Sequence, residues 1–290
     1  MAHFQDQTLT VPDRLEKIQL DQFMVENLML SKQRIRRAIH EGGVYINRKR
    51  CRNIGLALHG GETVRIVMLN DETLLPFNEE QLIWQHPPFY LIHKQSGQYA
   101  QEALHRSQGT LPEELTQHLK LSSQNGEELR PVHRLDRDTS GLMLFCSDPK
   151  QLDRMQRLWK SHVKKFYLAV VEPAPEWDKQ RITLPIGKRR DKLGCYHVES
   201  NGRACDTEAE VIERRSGRAL IRLIPHTGRT HQLRIHLSHL GCPILGDSRY
   251  GGKTHSRLML HAERLSTLPP AMDIEQEQQW IAEPEENWQW

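Results

Sequence analysis

His133-Arg134-Leu135-Asp136-Arg137-Asp138-Thr139-Ser140-Gly141-Leu142-Met143-Leu144-Phe145 sets two carboxylates among cations and hydroxyls, directly before an unbroken apolar run. The apolar half reads as a strand and the polar half as the loop that feeds it. Neighbouring cations favour the charged form of a carboxyl group and lower an aspartate pKa by about 1 to 3 units. Asp136 or Asp138 therefore stays ionised at neutral pH and is suited to act as a nucleophile. An Asp/Ser-rich turn capped before a strand is the plainer reading of so short a stretch, and the rest of the chain has to decide between them.

The 290 residues suffice for one large domain or two smaller ones, and two units are expected. Apolar residues make up 37% and charged residues 27%, with a mean hydropathy of -0.66, as in an ordinary soluble protein. No apolar run approaches the roughly 20 residues that a membrane-spanning helix needs. The N-terminal MAHFQDQTLTVPDRLEK has no basic segment followed by an apolar core, so a cytoplasmic location is expected. Cys51, Cys146, Cys195, Cys205 and Cys242 are odd in number, widely spread and never in a CxxC pair, which argues against a disulfide framework and a thiolate zinc site. The net charge of +3 says little by itself, but the charge is unevenly placed along the chain.

Residues 13–70 read as a small basic module. Leu20, Phe23, Met24 and Leu28 recur at helical spacing, and Ser31 suits the N-cap of a second helix. In that helix Ile35 and Ile39 face inward, Arg34, Arg36 and Arg37 lie outside, and Gly42-Gly43 ends it. Val44 and Ile46 alternate with polar positions, Asn47-Arg48-Lys49 suits a turn, and Val64 and Ile66 resume the alternation, giving a helix pair followed by a small sheet. Lys32, Arg34, Arg36, Arg37, Arg48, Lys49 and Arg50 make a cationic face, plainly read as a solvated charged surface, and the pattern LSKQRIRRAIHEGGVYINRKR resembles an RNA-binding module, which implies that they are candidate RNA-phosphate contacts. Residues 71–86 are polar and acidic and read as a linker. A second unit spans 87–267, and an acidic tail with Trp280, Trp288 and Trp290 fills 268–290, its tryptophans expected to pack on the protein body.

HRLDRDTSGLML resembles the catalytic motif of the RluA-type pseudouridine synthases, and further stretches follow in that family's order. The resemblance makes Asp136 the catalytic aspartate. Lys164-Lys165-Phe166-Tyr167 is similar to the family's lysine-rich strand, which carries the active-site tyrosine at the position of Tyr167, although most strand tyrosines are simply half-buried. Gly228-Arg229-Thr230-His231-Gln232-Leu233-Arg234 resembles the GRTHQLR motif, and Arg234 takes the place of the arginine that pairs with the aspartate. Gly246 to Gly251 resembles a GDxxYG segment, and Leu260 of an LHA segment matches the active-site leucine. His133, Arg134, Arg137 and Thr139 are carried over as substrate contacts. The chain departs from the pattern at Lys94-Gln95, where Lys-Pro is usual, and across Tyr99 to Asn125. The first module resembles the α-L RNA-binding module first known from a small-subunit ribosomal protein.

The resemblance implies an α+β fold, a pseudouridine synthase domain with a central, largely antiparallel mixed sheet, preceded by the small α+β module. It implies an RNA pseudouridine synthase acting on structured RNA, with large-subunit ribosomal RNA favoured over transfer RNA. The lack of a P-loop, a Rossmann glycine motif or a thiolate metal site fits a reaction without a cofactor, and a monomer is the simpler expectation for a chain whose sequence does not reveal its oligomeric state. A non-catalytic RNA-binding or ribosome-assembly factor derived from such an enzyme is the alternative, and a metal-dependent RNA hydrolase a third class. Against metal, His226, His231, His236 and His239 are spaced five, five and three apart rather than at i and i+4. They read as packing, hydrogen-bonding or phosphate-contacting groups.

Overall fold

The computed structural model describes residues 4–15, 17–69, 75–121, 128–189, 195–285 and 288–290. The chain divides into two units: the chain up to Pro76 with Gln101–Glu114, and Phe77–Ala100 with Leu115–Trp290.

The first unit contains β1 (Phe4–Thr10), β2 (Ile18–Gln19), α1 (Leu20–Asn27), α2 (Lys32–Glu41), β3 (Val44–Ile46), β4 (Lys49–Cys51), β5 (Ala57–Leu58) and β6 (Thr63–Leu69). The hydroxyl of Ser31 accepts from the Arg34 N–H at 3.4 Å, and Gly42 ends α2 at φ +87°, a conformation that costs glycine little. Phe23, Met24, Ile35 and Ile39 bury against Val44, Ile46, Val64 and Ile66 in one core. The sheet runs β1-β6-β3-β4 with antiparallel neighbours. Strand β1 lies before residue 13, where the sequence pattern starts the module; it pairs from Phe4↔Leu69 to Thr10↔Thr63, a partner too remote in the chain for local patterning to reveal. Gln101–Glu114 is held to the same unit by long-range bonds. Arg50 donates to the carbonyls of Gly42 and Ala103 at 2.9 Å, and Tyr45 to that of Leu104 at 2.8 Å. The buried Arg106 pairs with Glu41 at 3.0 Å.

The second unit contains β7 (Leu82–His86), β8 (Phe89–Lys94), the end of α3 (Leu111–His118), β9 (Arg130–Pro131), β10 (Ser140–Cys146), α4 (Pro149–His162), β11 (Val163–Val171), β12 (Lys179–Ile182), β13 (Ile186–Lys188), β14 (Tyr196–Val198), β15 (Thr207–Arg215), β16 (Arg218–Pro225), α5 (Gln232–His239), β17 (Leu260–Thr267) and β18 (Gln278–Ile281). Its large sheet is ordered β12-β15-β16-β11-β17-β10-β8-β7, with β18 added to β17 and β9 to β10. The expected largely antiparallel α+β architecture is what forms, with the β10–β17 pair parallel. Helix α4 begins as its sequence indicates: Asp148 accepts the Gln151 N–H at 2.7 Å and Pro149 fills the first turn. Its Leu152 and Met155 bury with Phe89, Leu91, Leu144 and Leu265.

Two boundaries differ from the sequence reading. Leu82–His86, placed in a linker, is instead strand β7, registered from Leu82↔Ile92 to His86↔Phe89. Its Trp84 packs 5.1 Å from Trp280, so its burial depends on the far end of the chain. Residues 70–74 of that linker, and Glu286 and Asn287 of the tail, lie outside the described residues. The rest of the tail is built into the body. Strand β18 extends the sheet, the Ala282 carbonyl bonds His261 Nε2 at 2.8 Å, and Glu285 accepts from the buried Arg257 at 2.6 Å.

The parallel pair matters most for the site. Ser140↔His261 and Gly141↔Ala262 join the end of the HRLDRDTS loop to β17, and Ala169↔Leu260 and Leu168↔His261 join β17 to β11. The loop, Leu260 and Tyr167 thus meet at one end of adjoining strands. Gly141 makes this approach feasible: φ is +112°, and a Cβ there would lie 2.3 Å from the Ala262 carbonyl oxygen. Gly141→Ala should cost about 3 kcal/mol or more, because backbone strain and overlap with a fixed backbone add. Urea unfolding of the full chain checks this; an unchanged midpoint would contradict the close packing.

Candidate active site

The site rests on a turn and a short helix. His231, at φ +57°, begins α5, and the Gln232 side chain fixes the turn before it. Gln232 accepts from the Thr227 hydroxyl at 2.8 Å and from the Arg229 N–H at 3.0 Å, while donating to Thr207 Oγ1 at 2.9 Å. Arg234, one turn into α5, is buried, and its planar fork serves two carboxylates. Nε and Nη2 donate to the two oxygens of Asp247 at 2.7 and 2.8 Å, and Nη1 donates to Asp136 Oδ2 at 3.1 Å. Asp247 is also buried and accepts the N–H groups of Arg249 and Tyr250 at 3.2 and 3.3 Å. The Tyr250 hydroxyl bonds His231 Nδ1 at 2.6 Å, and His231 Nε2 stands 3.8 Å from Asp136 Oδ2.

Lys94, completely buried, holds the Asp136 loop from the other side. Its Nζ donates to the carbonyls of Gln95, Arg137 and Thr139 at 2.9, 2.6 and 2.7 Å. Three acceptors take up the three hydrogens of an ammonium group, although burial pushes its pKa down to about 7 against the pull of Asp138 and Asp136.

Asp136 forms part of a cleft of about 500 Å³ lined also by Arg134, Trp159, Lys165, Tyr167 and His231. His133, Thr139, Leu260 and Arg234 border the same cleft. Tyr167 lies where the β11–β17 register shifts, between Phe166 and Leu168, and stays paired to Leu223 on the other side. Such an irregularity re-aims one side chain out of an otherwise regular strand. Trp159, at helical spacing from Leu152 and Met155, packs half-buried against their core and also lines the cleft.

Burial alone would raise the Asp136 pKa, but His231, Arg234 and Arg134 outweigh it and hold the carboxyl below its ordinary value. Burial brings His231 down to about 4, so at neutral pH it is uncharged and Arg234 supplies the lasting cation. Burial and the Asp136 charge both push the Tyr167 phenol up, keeping it protonated. Burial lowers Lys165 to about 8. The cleft therefore offers an ionised carboxylate, able to act as nucleophile or proton acceptor, beside a neutral phenol and a cation.

Of the residues singled out in the sequence, the structure gathers His133, Arg134, Asp136, Thr139, Tyr167, Arg234 and Leu260 at one cleft. It separates Arg137 from them, because that guanidinium turns to Asp138 at 2.7 Å and lies over the Tyr99 ring. In the first unit Lys32, Arg34, Arg36, Arg37, Arg48 and Lys49 are exposed, whereas Arg50 is half-buried in the bonds described above. Arg36 is engaged with the buried Asp21 at 3.1 Å and Arg37 with Glu41 at 2.8 Å. Three of the four histidines weighed as metal ligands have other partners: His226 bonds Glu208, His231 bonds the Tyr250 hydroxyl, and His236 bonds Thr207 and the Leu184 carbonyl. Sequence reasoning gave no role to Asp247, Lys94 or Tyr250. The GDxxYG stretch was the one available signal for the first and last.

Removing one member of a buried charge set leaves the other uncompensated. Asp247→Ala should cost about 3–5 kcal/mol in urea unfolding. Asp136→Asn should stay within about 1 kcal/mol, since Arg234 keeps its bidentate partner. Equal losses in the two variants would contradict the unequal sharing of Arg234.

A sequence model of the family described as RNA pseudouridylate synthase matches residues 83–239, more than half of the chain. The chain is 28% identical over 292 residues to a Vibrio parahaemolyticus protein named ribosomal large subunit pseudouridine synthase C, covering 93% of this chain and 90% of that one. It is 30% identical over 283 residues to a Neisseria meningitidis protein named ribosomal large subunit pseudouridine synthase D, covering 90% and 75%. A solved structure titled human RNA pseudouridylate synthase domain containing 4 superposes with a TM-score of 0.59 at 25% identity, covering 72% of this chain and 90% of that one. The carboxylate cleft thus lies in a domain whose sequence and fold agree on one assignment: the chain belongs to the RNA pseudouridylate synthase family and is an RNA pseudouridine synthase.

Proposed function

We propose that this enzyme isomerises a uridine of large-subunit ribosomal RNA with Asp136 as the catalytic residue. The observation that carries the reading is the Asp136 carboxylate, fixed by Arg234 at 3.1 Å, in a cleft shared with Tyr167 and Leu260. The names of two relatives support the choice of ribosomal RNA, with transfer RNA as the other class that mapping can reveal.

The reaction breaks the bond from uracil N1 to ribose C1′, leaving its electron pair with N1. The freed ring turns, its C5 bonds to C1′, C5 gives up its proton, and N1 takes one. Nothing is oxidised and no group is imported. Asp136 acts as nucleophile or proton acceptor beside the sugar, and Arg234 keeps it ionised. Tyr167 and Leu260 supply an aromatic and an apolar wall that retain the detached base. A uridine in a helix has to be extruded to reach this depth, at a cost of a few kcal/mol. Arg134, exposed beside Asp136, is placed to meet the distorted backbone.

Asp136→Asn should abolish product formation while preserving folding and RNA affinity. Pseudouridine mapping of ribosomal and transfer RNA, from cells with the wild-type chain and with the variant, reads the outcome: one missing ribosomal site is expected. An unchanged map would favour the non-catalytic reading. A group with a depressed pKa keeps its charge as pH falls until that lower pKa is reached, so on the acid side turnover should hold as pH falls from about 6 to 5. An inflection near the ordinary histidine value would implicate another base.

The basic first unit fits an RNA-binding role. Changing the exposed Lys32, Arg34 and Arg48 to Gln should lower the slope of log affinity against log salt by roughly 2, at somewhat under one unit per lost phosphate contact. An unchanged slope in filter binding would remove that unit from the interface.

A further inference from the structure

The uridine reading accounts for Asp136, Tyr167, Leu260 and Arg234, but the cleft continues past them to a second aromatic group. Trp159, at the last turn of α4, stacks on His133 with ring centroids 4.6 Å apart and planes inclined by 23°. Its indole is half-buried and lines the cleft, as does His133. Lys160, Ser161, Lys164 and Lys165 line the same end. The His133 ring is held in one orientation, because its Nε2 accepts the Leu144 N–H at 3.2 Å. The other nitrogen, Nδ1, then carries the proton and is buried with no hydrogen-bond partner among the described residues. Burial and Lys165 bring the His133 pKa down to about 3, so the platform is neutral at physiological pH.

We infer that the Trp159–His133 stack is a second base subsite, taking the nucleobase of a nucleotide that flanks the target uridine while the neighbouring lysines hold its phosphate. This rests on the uridine-isomerising reading above. The occupant follows from distance and chemistry. His133 precedes Asp136 by three residues, at most about 11 Å of extended chain, which is close enough for an adjoining nucleotide. Along β11, Val163 stands roughly 13 Å from Tyr167, farther than one pyrimidine spans. A neutral aromatic face bordered by ammonium groups suits a base and its phosphate, and stacking of this kind tolerates different bases. The subsite contributes to recognition and plays no part in breaking the glycosidic bond.

The test uses the full chain and a stem-loop RNA carrying the mapped uridine, intact or with each neighbouring nucleotide made abasic in turn. For the wild type, one abasic position should lower kcat/KM about tenfold through KM, with kcat at saturation unchanged. Trp159→Ala should show that same loss on intact RNA and no further loss on that abasic RNA, while Trp159→Phe keeps most of the activity. Losses that multiply, a variant that is equally impaired on every RNA, or no loss in Trp159→Ala would each overturn the subsite and leave the main reaction standing. Absence of pseudouridine from the wild type on every RNA would overturn the uridine reading, and the subsite with it.

Discussion

One guanidinium divided between two carboxylates governs this site. Arg234 gives its bidentate edge to Asp247 and a single N–H to Asp136. The stronger pairing, deep in the protein, satisfies the cost of burying the cation. The weaker one leaves Asp136 with an oxygen at the cleft and an electrostatic reason to remain ionised. A lysine could not divide itself in this way, because a point charge lacks the rigid fork. Asp247 is fixed in turn by two backbone N–H groups of the GDxxYG turn, so the acidity of one cleft residue depends on a loop well removed from it in the chain.

The sheet supplies the second constraint. A parallel pairing within a largely antiparallel sheet, with glycine at the contact, brings the HRLDRDTS loop beside β17, and the register shift at Tyr167 turns that ring to the same end. Lys94 then fastens the loop through three carbonyls. None of these interactions is strong alone after exchange with water. Together they hold a charged residue at low exposure, where a small displacement would cost it its partner.

Patterning over short distances was legible in the sequence. The Ser31 cap, the Gly42 stop, the Asp148-Pro149 helix start and the β10 apolar run all follow from side chains within a few residues of one another. Strand β1 was not legible, because its partner is remote in the chain, from Phe4↔Leu69 to Thr10↔Thr63. Strands β7 and β18 pair with strands close in sequence, β8 and β17, but both are mostly exposed, and Trp84 and Trp280 pack on each other only across the fold. The site divides similarly. Asp136, Tyr167 and Arg234 stand in motifs that family resemblance picks out, whereas Asp247 and Lys94 act through contacts that only the fold creates. Trp159 shows the limit of helical periodicity: spacing places it on the stripe of Leu152 and Met155, and it does pack half-buried against their core, but the final turn of α4 also reaches the cleft, where the indole stacks on His133.

The central claim is that Asp136 is kept ionised by its share of Arg234, and site-resolved carbon NMR of the carboxyl group through a pH titration tests it most directly. An Asp136 pKa below the ordinary aspartate value of about 3.9 is the result expected. A pKa at or above that value in the folded wild-type protein would show that burial prevails over the cations, and would contradict this account of the site.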